Sequence, residues 1–219
     1  MKIMGVAMLA GATIAGAGAA NAEVSGNVAM TSDYVFRGLS QTEGGPAIQG
    51  GFDFTHGLFY AGAWGSNVAD FGVDASMELD LYVGVTPSTG PIDWDIGIVG
   101  YFYPGADDDA AESDYYEGII NGSSALTDQF TLGGQFAYTP EYFGDTGDGV
   151  YYEINGAYAV NDQLSFSGAF GNQDVDLLGD YDTWNLGGTY AMHGFEVDVR
   201  YHEADGVDEI FNITISRAV

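Results

Sequence analysis

Carboxylates recur two residues apart among apolar neighbours: Glu78 with Asp80, Asp93 with Asp95, and Glu196 with Asp198. Asp53 and Glu153 sit in similar surroundings. In an extended strand, an i, i+2 spacing puts both members of a pair on one face. Arg37, Arg200 and His202 fall in the same phase as these acids. A face of this kind, lining a water-filled space, concentrates cations and depletes anions. Paired carboxylates also serve acid–base catalysis, but the motifs that accompany catalysis are absent. The chain has no Gly-x-Ser-x-Gly, P-loop, His-Glu-x-x-His or dinucleotide fingerprint. His56 and His193 fall at turns. With no cysteine there is no thiolate nucleophile and no Cys-ligated metal. The acidic run Asp107, Asp108, Asp109 is the one weak candidate for a metal site. It lacks the fixed Gly and Glu of a calcium loop, so it reads as a solvated charge run. These residues predict neither an enzyme nor a cofactor.

The composition narrows the partners. Lys and Arg together number 4 against 32 Asp and Glu, for a formal net charge of −28 over 219 residues. So few cations cannot neutralise a phosphate backbone, which excludes nucleic acid. Glycine is abundant at 34 residues, with 15 Tyr, 13 Phe and 3 Trp, too much apolar and aromatic material for a disordered acidic tail. Met1-Lys2, the apolar or small stretch Ile3–Ala19 and the small-x-small site Ala20-Asn21-Ala22 predict a signal peptide over 1–22, cleaved before Glu23. The domain then spans 23–219, with Arg37, Arg200 and Arg217 as its basic residues besides histidine. After residue 22 no apolar run is long enough for a membrane-spanning helix.

The elements that must position the acids are strands. Nearly all of the chain after residue 22 alternates with period 2, and glycine is too dense for stable helices. Alternating runs begin at Val24, Ile48, Tyr60, Met77, Ile92, Tyr115, Phe130, Tyr152, Leu164, Trp184, Phe195 and Phe211. The first run is read as continuous from Val24 to Phe36, and Tyr115–Ile120 is the weakest. Counting it gives twelve strands; ten remains an alternative. Links are short around Gly57, Pro87–Gly90, Asn161–Gln163 and His193. They are longer and acidic at Gln41–Pro46, Asn67–Asp74, Pro104–Asp114, Pro140–Gly149, Asn172–Asp180 and Glu203–Asp208. Asn121–Asp128 is read as a further link. Short and long links that alternate belong to an antiparallel up-and-down transmembrane β-barrel, with both chain ends on the short-turn side.

In such a barrel the apolar phase faces lipid and the acidic phase faces the lumen. Arg37, Asp53, Glu78, Asp80, Asp93, Asp95, Glu153, Glu196, Asp198 and Arg200 are therefore the lumen-lining candidates. Tyr34, Phe36, Trp64, Trp94, Phe102, Tyr138, Tyr158, Trp184, Tyr190 and Tyr201 fit aromatic girdles at the membrane boundaries. The loops look too short for any of them to fold deeply inward.

One stretch also carries a resemblance. Val28-Ala29-Met30-Thr31-Ser32-Asp33-Tyr34-Val35-Phe36-Arg37-Gly38-Leu39-Ser40-Gln41, with Pro46 in the loop that follows, resembles the TorF-type porin family of small proteobacterial outer-membrane proteins. Phe136–Gly144, followed by Tyr151-Tyr152-Glu153, is similar as well. The resemblance implies an outer-membrane porin. Together with the acidic phase it sets the functional expectation: a narrow, cation-preferring diffusion channel for small cations or polar solutes. The alternative is a non-conducting structural barrel, or one that binds through its loops. Outer-membrane lipid, lipopolysaccharide and the barrel assembly machinery are the expected partners, and the oligomeric state stays open.

Overall fold

The computed structural model describes residues 22–70, 74–107 and 112–219. The expected signal peptide, apart from Ala22, and Asp108 and Asp109 lie outside the described residues. The described residues contain no helix. They form β1 (Glu23–Thr31), β2 (Val35–Phe36), β3 (Leu39–Ser40), β4 (Ala47–His56), β5 (Phe59–Asn67), β6 (Met77–Val85), β7 (Ser88–Thr89) and β8 (Ile92–Phe102). The series continues with β9 (Tyr115–Ala125), β10 (Phe130–Thr139), β11 (Gly149–Ala159), β12 (Leu164–Val175), β13 (Gly179–Met192), β14 (Phe195–Ala204) and β15 (Ile210–Ala218).

Twelve of these make a closed antiparallel barrel. Each wall strand pairs with its neighbours in sequence, β1 closes on β15, and β6 pairs directly with β8. Closure leaves no unpaired edge, the condition for a sheet that crosses lipid. β7 is a two-residue spur on β8, and β2 with β3 forms a separate hairpin inside the barrel. The outward phase is apolar and unpartnered: Val28 and Met30 on β1, Phe52 on β4, Val83 on β6, Ile98 on β8, Ile154 on β11 and Leu186 on β13 are all exposed. An exposed apolar band encircling the whole wall suits hydrocarbon rather than water.

Several expectations change. The first strand ends at Thr31; Tyr34 and Phe36 leave the wall and turn into the barrel. Trp64, expected in a girdle, is buried inside, because on β5 the lipid-facing phase is Phe59, Ala61 and Ala63 and the inward one is Tyr60 and Trp64. Alternation of Gly and Ala with aromatics does not tell which phase is the lipid face. Asn121–Ala125 belongs to β9 rather than to a link, and Asn172–Val175 belongs to β12. Their polar residues suit a wall that has water on its inner side. The expectation that no loop folds deeply inward fails for residues 32–46.

The aromatic placement is testable. In single-tryptophan variants reconstituted into bilayers of brominated phosphatidylcholine, Trp94 and Trp184 fluorescence should be strongly quenched and Trp64 fluorescence nearly untouched. Quenching of Trp64 to the same extent would contradict the inward phase of β5.

Candidate functional site: a plugged lumen

Between β1 and β4 the chain does not run over the rim. It dips into the barrel as the hairpin of β2 and β3. Arg37 and Gly38 form its two-residue tip with φ of 47° and 84°, the left-handed pair that matches the twist of a tight hairpin. The tip is pressed against the opposite wall. A Cβ on Gly38 would lie 2.2 Å from Thr183 Oγ1 and 2.8 Å from the Ala204 Cβ, so this position requires glycine both for its φ and for its space.

Asp33 holds the base of the hairpin. The hydroxyls of Ser40 and Thr42 lie 2.6 and 2.9 Å from its Oδ1, and Asn212 Nδ2 donates to its backbone oxygen at 3.1 Å. The backbone N–H of Tyr34 donates to Thr42 Oγ1 at 3.0 Å.

Arg37 carries the strongest contact. Its Nη1 and Nη2 donate to Glu117 Oε1 and Oε2 at 2.8 and 2.7 Å, a fork-on-fork pair from the hairpin to β9. Nη1 also reaches Gln173 Oε1 on β12 at 2.7 Å. The guanidinium is sandwiched, 4.7 Å from the Phe36 ring centroid and 4.2 Å from that of Tyr151. Tyr101 Oη donates to Glu117 Oε2 at 3.1 Å. The Arg37 and Glu117 side chains are only 6% and 1% exposed. Burial works against the Arg37 charge, but the adjoining Glu117 carboxylate outweighs it and the guanidinium is held more firmly protonated than usual.

Around this pair the outer half of the lumen is packed with rings. Tyr34 meets Trp64 edge-on at 5.4 Å, Tyr101 stacks on Tyr115 at 4.6 Å, and Phe36 meets Tyr101 at 5.9 Å. The loop after β10 adds Tyr142 against Tyr115 at 4.9 Å and Phe143 against Tyr103 at 5.2 Å. The hairpin and these rings form a plug.

Below the plug lies a cavity of about 1240 Å³. Its lining runs from Tyr34, Phe36, Arg37 and Asp80 down to the short turns at Gln129, Asn161–Gln163 and His193. Polar side chains are spread over its walls, Asn27, Gln49, Gln135, Glu153, Asn185 and Thr214 among them. Arg200 lies flat on this wall. Its Nε and Nη2 meet Asp198 at 3.1 and 3.0 Å, its Nη1 meets Asn185 Oδ1 at 2.7 Å, and its Nη2 meets Ser167 Oγ at 2.8 Å. A Cβ on Gly187 would come within 2.7 Å of the guanidinium carbon, so the glycine keeps Arg200 out of the lumen's centre.

The expected lumen residues separate into three settings. Arg37, Glu78 and Asp80 belong to the plug and its underside. Asp53, Asp95, Glu153, Asp198 and Arg200 stand on inner wall positions, where Asp53 accepts from Tyr82 Oη at 2.6 Å and Asp95 from Tyr60 Oη at 2.6 Å. Glu153 accepts from Tyr151 Oη at 2.7 Å. Asp93 and Glu196 are exposed near the short turns, where Asp93 accepts from the Ser88 hydroxyl. The structure therefore does not bring the ten together into one ring. Sequence reasoning missed Glu117, Gln173, Tyr101 and Tyr151, the partners of Arg37. One signal was present: Arg37-Gly38 is a two-residue tip flanked by Val35-Phe36 and Leu39-Ser40, the pattern of a tight hairpin.

Asp107 is exposed. Among the described residues, no three His, Cys, Asp or Glu side chains are grouped to hold a metal.

A closed twelve-stranded barrel, apolar outside and polar within, with a segment folded into its lumen, has the architecture of outer-membrane channels. The solved structure of the KdgM porin superposes with a TM-score of 0.61 at 7% identity, covering 89% of this chain and 98% of that one. The COG4313 outer membrane channel from Pseudomonas putida F1 gives 0.51 at 7% identity, covering 89% and 94%. At these identities the likeness is one of fold. The chain belongs to the Gcw_chp family, bacterial proteins of unknown function, whose model matches residues 15–219. No curated protein sequence matches it.

Removing the guanidinium strands Glu117 in an apolar surround. Arg37→Met should lower unfolding stability in lipid vesicles by about 3–5 kcal/mol. Arg217→Met, which removes only a guanidinium over the Phe195 ring, should cost about 1 kcal/mol or less. Equal effects in urea titrations would contradict a structural role for the Arg37–Glu117 pair.

Proposed function

We propose that the protein is an outer-membrane diffusion channel for small cations and small polar solutes, and that the β2–β3 hairpin sets its conductance. The observation that carries this reading is the cavity under the plug, open toward the short turns and lined by more carboxylates than cations. Asp80, Glu153, Glu196 and Asp198 line it, against Arg217 and against Arg37 and Arg200, whose charges are already taken up by Glu117 and Asp198. Such a lumen holds a negative potential, which favours cations entering and disfavours anions.

The chain's resemblance to TorF-type porins at residues 28–41 supports the channel reading, as does its likeness in fold to outer-membrane channels. One solved structure of the KdgM porin is a complex with disordered oligogalacturonate, a polyanion. The acidic lumen here argues against a ligand of that charge. With three arginines after residue 22, this chain has little to pair with a row of uronates. The second reading is a closed, non-conducting barrel. It is favoured by one observation, the burial of Arg37, Glu117 and the ring cluster across the outer half of the lumen.

Planar-bilayer recording separates the two. In a KCl gradient the wild-type protein should give small, infrequent steps with a reversal potential displaced toward that of potassium. Replacing Val35–Ser40 with two glycines should raise the single-channel conductance several-fold and keep the cation preference. Folded, inserted protein that conducts in neither form would establish the closed barrel. A reversal potential on the chloride side would overturn the selectivity.

A further inference from the structure

The buried acids around the plug are not equally satisfied. Asp33 has two hydroxyls on one oxygen, and Glu117 has the Arg37 fork and the Tyr101 hydroxyl. Glu78 and Asp80, two residues apart on the inner face of β6, differ from both. They are 3% and 6% exposed, and Glu78 Oε2 and Asp80 Oδ1 have no hydrogen-bond partner. Tyr34 Oη donates from 3.3 Å to Glu78 Oε1, and the two carboxyl groups lie within hydrogen-bond reach of each other, a contact that needs a proton or another positive ion between them. No cation of the protein reaches them, because Arg37 is committed to Glu117. Two carboxylates with unpaired buried oxygens are among the costliest groups a fold can hold, unless something positive sits between them. Asp80 also lines the cavity, so an ion arriving from the short turns meets this side of the pair first, with the two unpaired oxygens buried just behind it.

We propose that Glu78 and Asp80 form a binding site for a divalent cation at the roof of the cavity. Each carboxylate supplies its unpaired oxygen, and the ion keeps part of its water on the cavity side. Two carboxylates with retained waters are a sufficient ligand set for a hard cation that dehydrates only in part. The ion offsets the charge under the plug and so braces β6 against the aromatic cluster. The proposal goes beyond the channel reading and does not depend on conduction.

Terbium, a hard oxygen-seeking ion, is the probe. Trp64 is the cross-strand partner of Asp80 and faces the same interior, whereas Trp94 and Trp184 lie on outward positions. Terbium bound at the pair should therefore give saturable luminescence excited through Trp64. Calcium should displace it and potassium at equal concentration should not. The double variant Glu78→Gln, Asp80→Asn, checked for folding by its heat-dependent gel mobility, should bind about ten-fold or more weakly. The control Asp93→Asn, Glu196→Gln should bind as the wild type does. Should the double variant fail to fold, Trp64→Phe in the otherwise native protein decides the matter. It should abolish the tryptophan-sensitised signal if terbium sits beside Asp80. No sensitised luminescence from the wild type would overturn the proposal in favour of a proton held between the two acids. Unchanged binding in the acid variant, or an unchanged signal in Trp64→Phe, would overturn it in favour of a site elsewhere.

Discussion

A guanidinium buried inside a barrel, on a segment that could have stayed outside, organises this molecule. Arg37 leaves water only because Glu117 meets it with both oxygens and Phe36 and Tyr151 cover its faces. That contact pulls residues 32–46 inward. The other features of the outer lumen follow from it. Gly38 is needed where the tip meets Thr183 and Ala204, Asp33 is needed to bend the chain off the end of β1, and tyrosines are needed to fill a bore that an open channel would leave wet. An isolated ion pair in an apolar surround rarely adds net stability, but it does select one arrangement over others. Here it specifies where the hairpin sits.

The lower half obeys a different constraint. It must present polar groups to water without blocking the bore, and it does so by laying long side chains against glycine. Tyr82 lies over Gly62, where a Cβ would approach its ring to 2.4 Å, and its hydroxyl is thereby delivered to Asp53. Arg200 over Gly187 is the same device with a cation. Part of the high glycine content is thus a consequence of lumen width, not of turns alone.

The wall was legible in the sequence and the plug largely was not. Period-2 alternation and sorted link lengths were enough for twelve antiparallel strands and for the closing partnership of the chain ends, because a barrel wall repeats one local rule. Where both faces carry apolar or small residues the rule is ambiguous. β5 illustrates this, since Tyr60 and Trp64 look as suited to lipid as Phe59 does. The run from Val24 to Phe36 keeps its alternation across the point where the chain leaves the wall, so periodicity hides the break at Thr31. Glu117 lay in the weakest strand signal, and its partnership with Arg37 spans 80 residues, a distance no local pattern reports. The Thr31–Gln41 segment, the most distinctive stretch of the sequence, is, in the structure, the hairpin and its base.

The hairpin separates the cavity from the outside. The chain has no cysteine, so a single cysteine at Thr214, on the cavity wall, is a clean reporter. In intact cells, a bulky membrane-impermeant thiol reagent added outside should fail to label Thr214→Cys in the native background. It should label the same position rapidly once Val35–Ser40 is replaced by two glycines. Rapid labelling from outside with the hairpin intact would contradict the account.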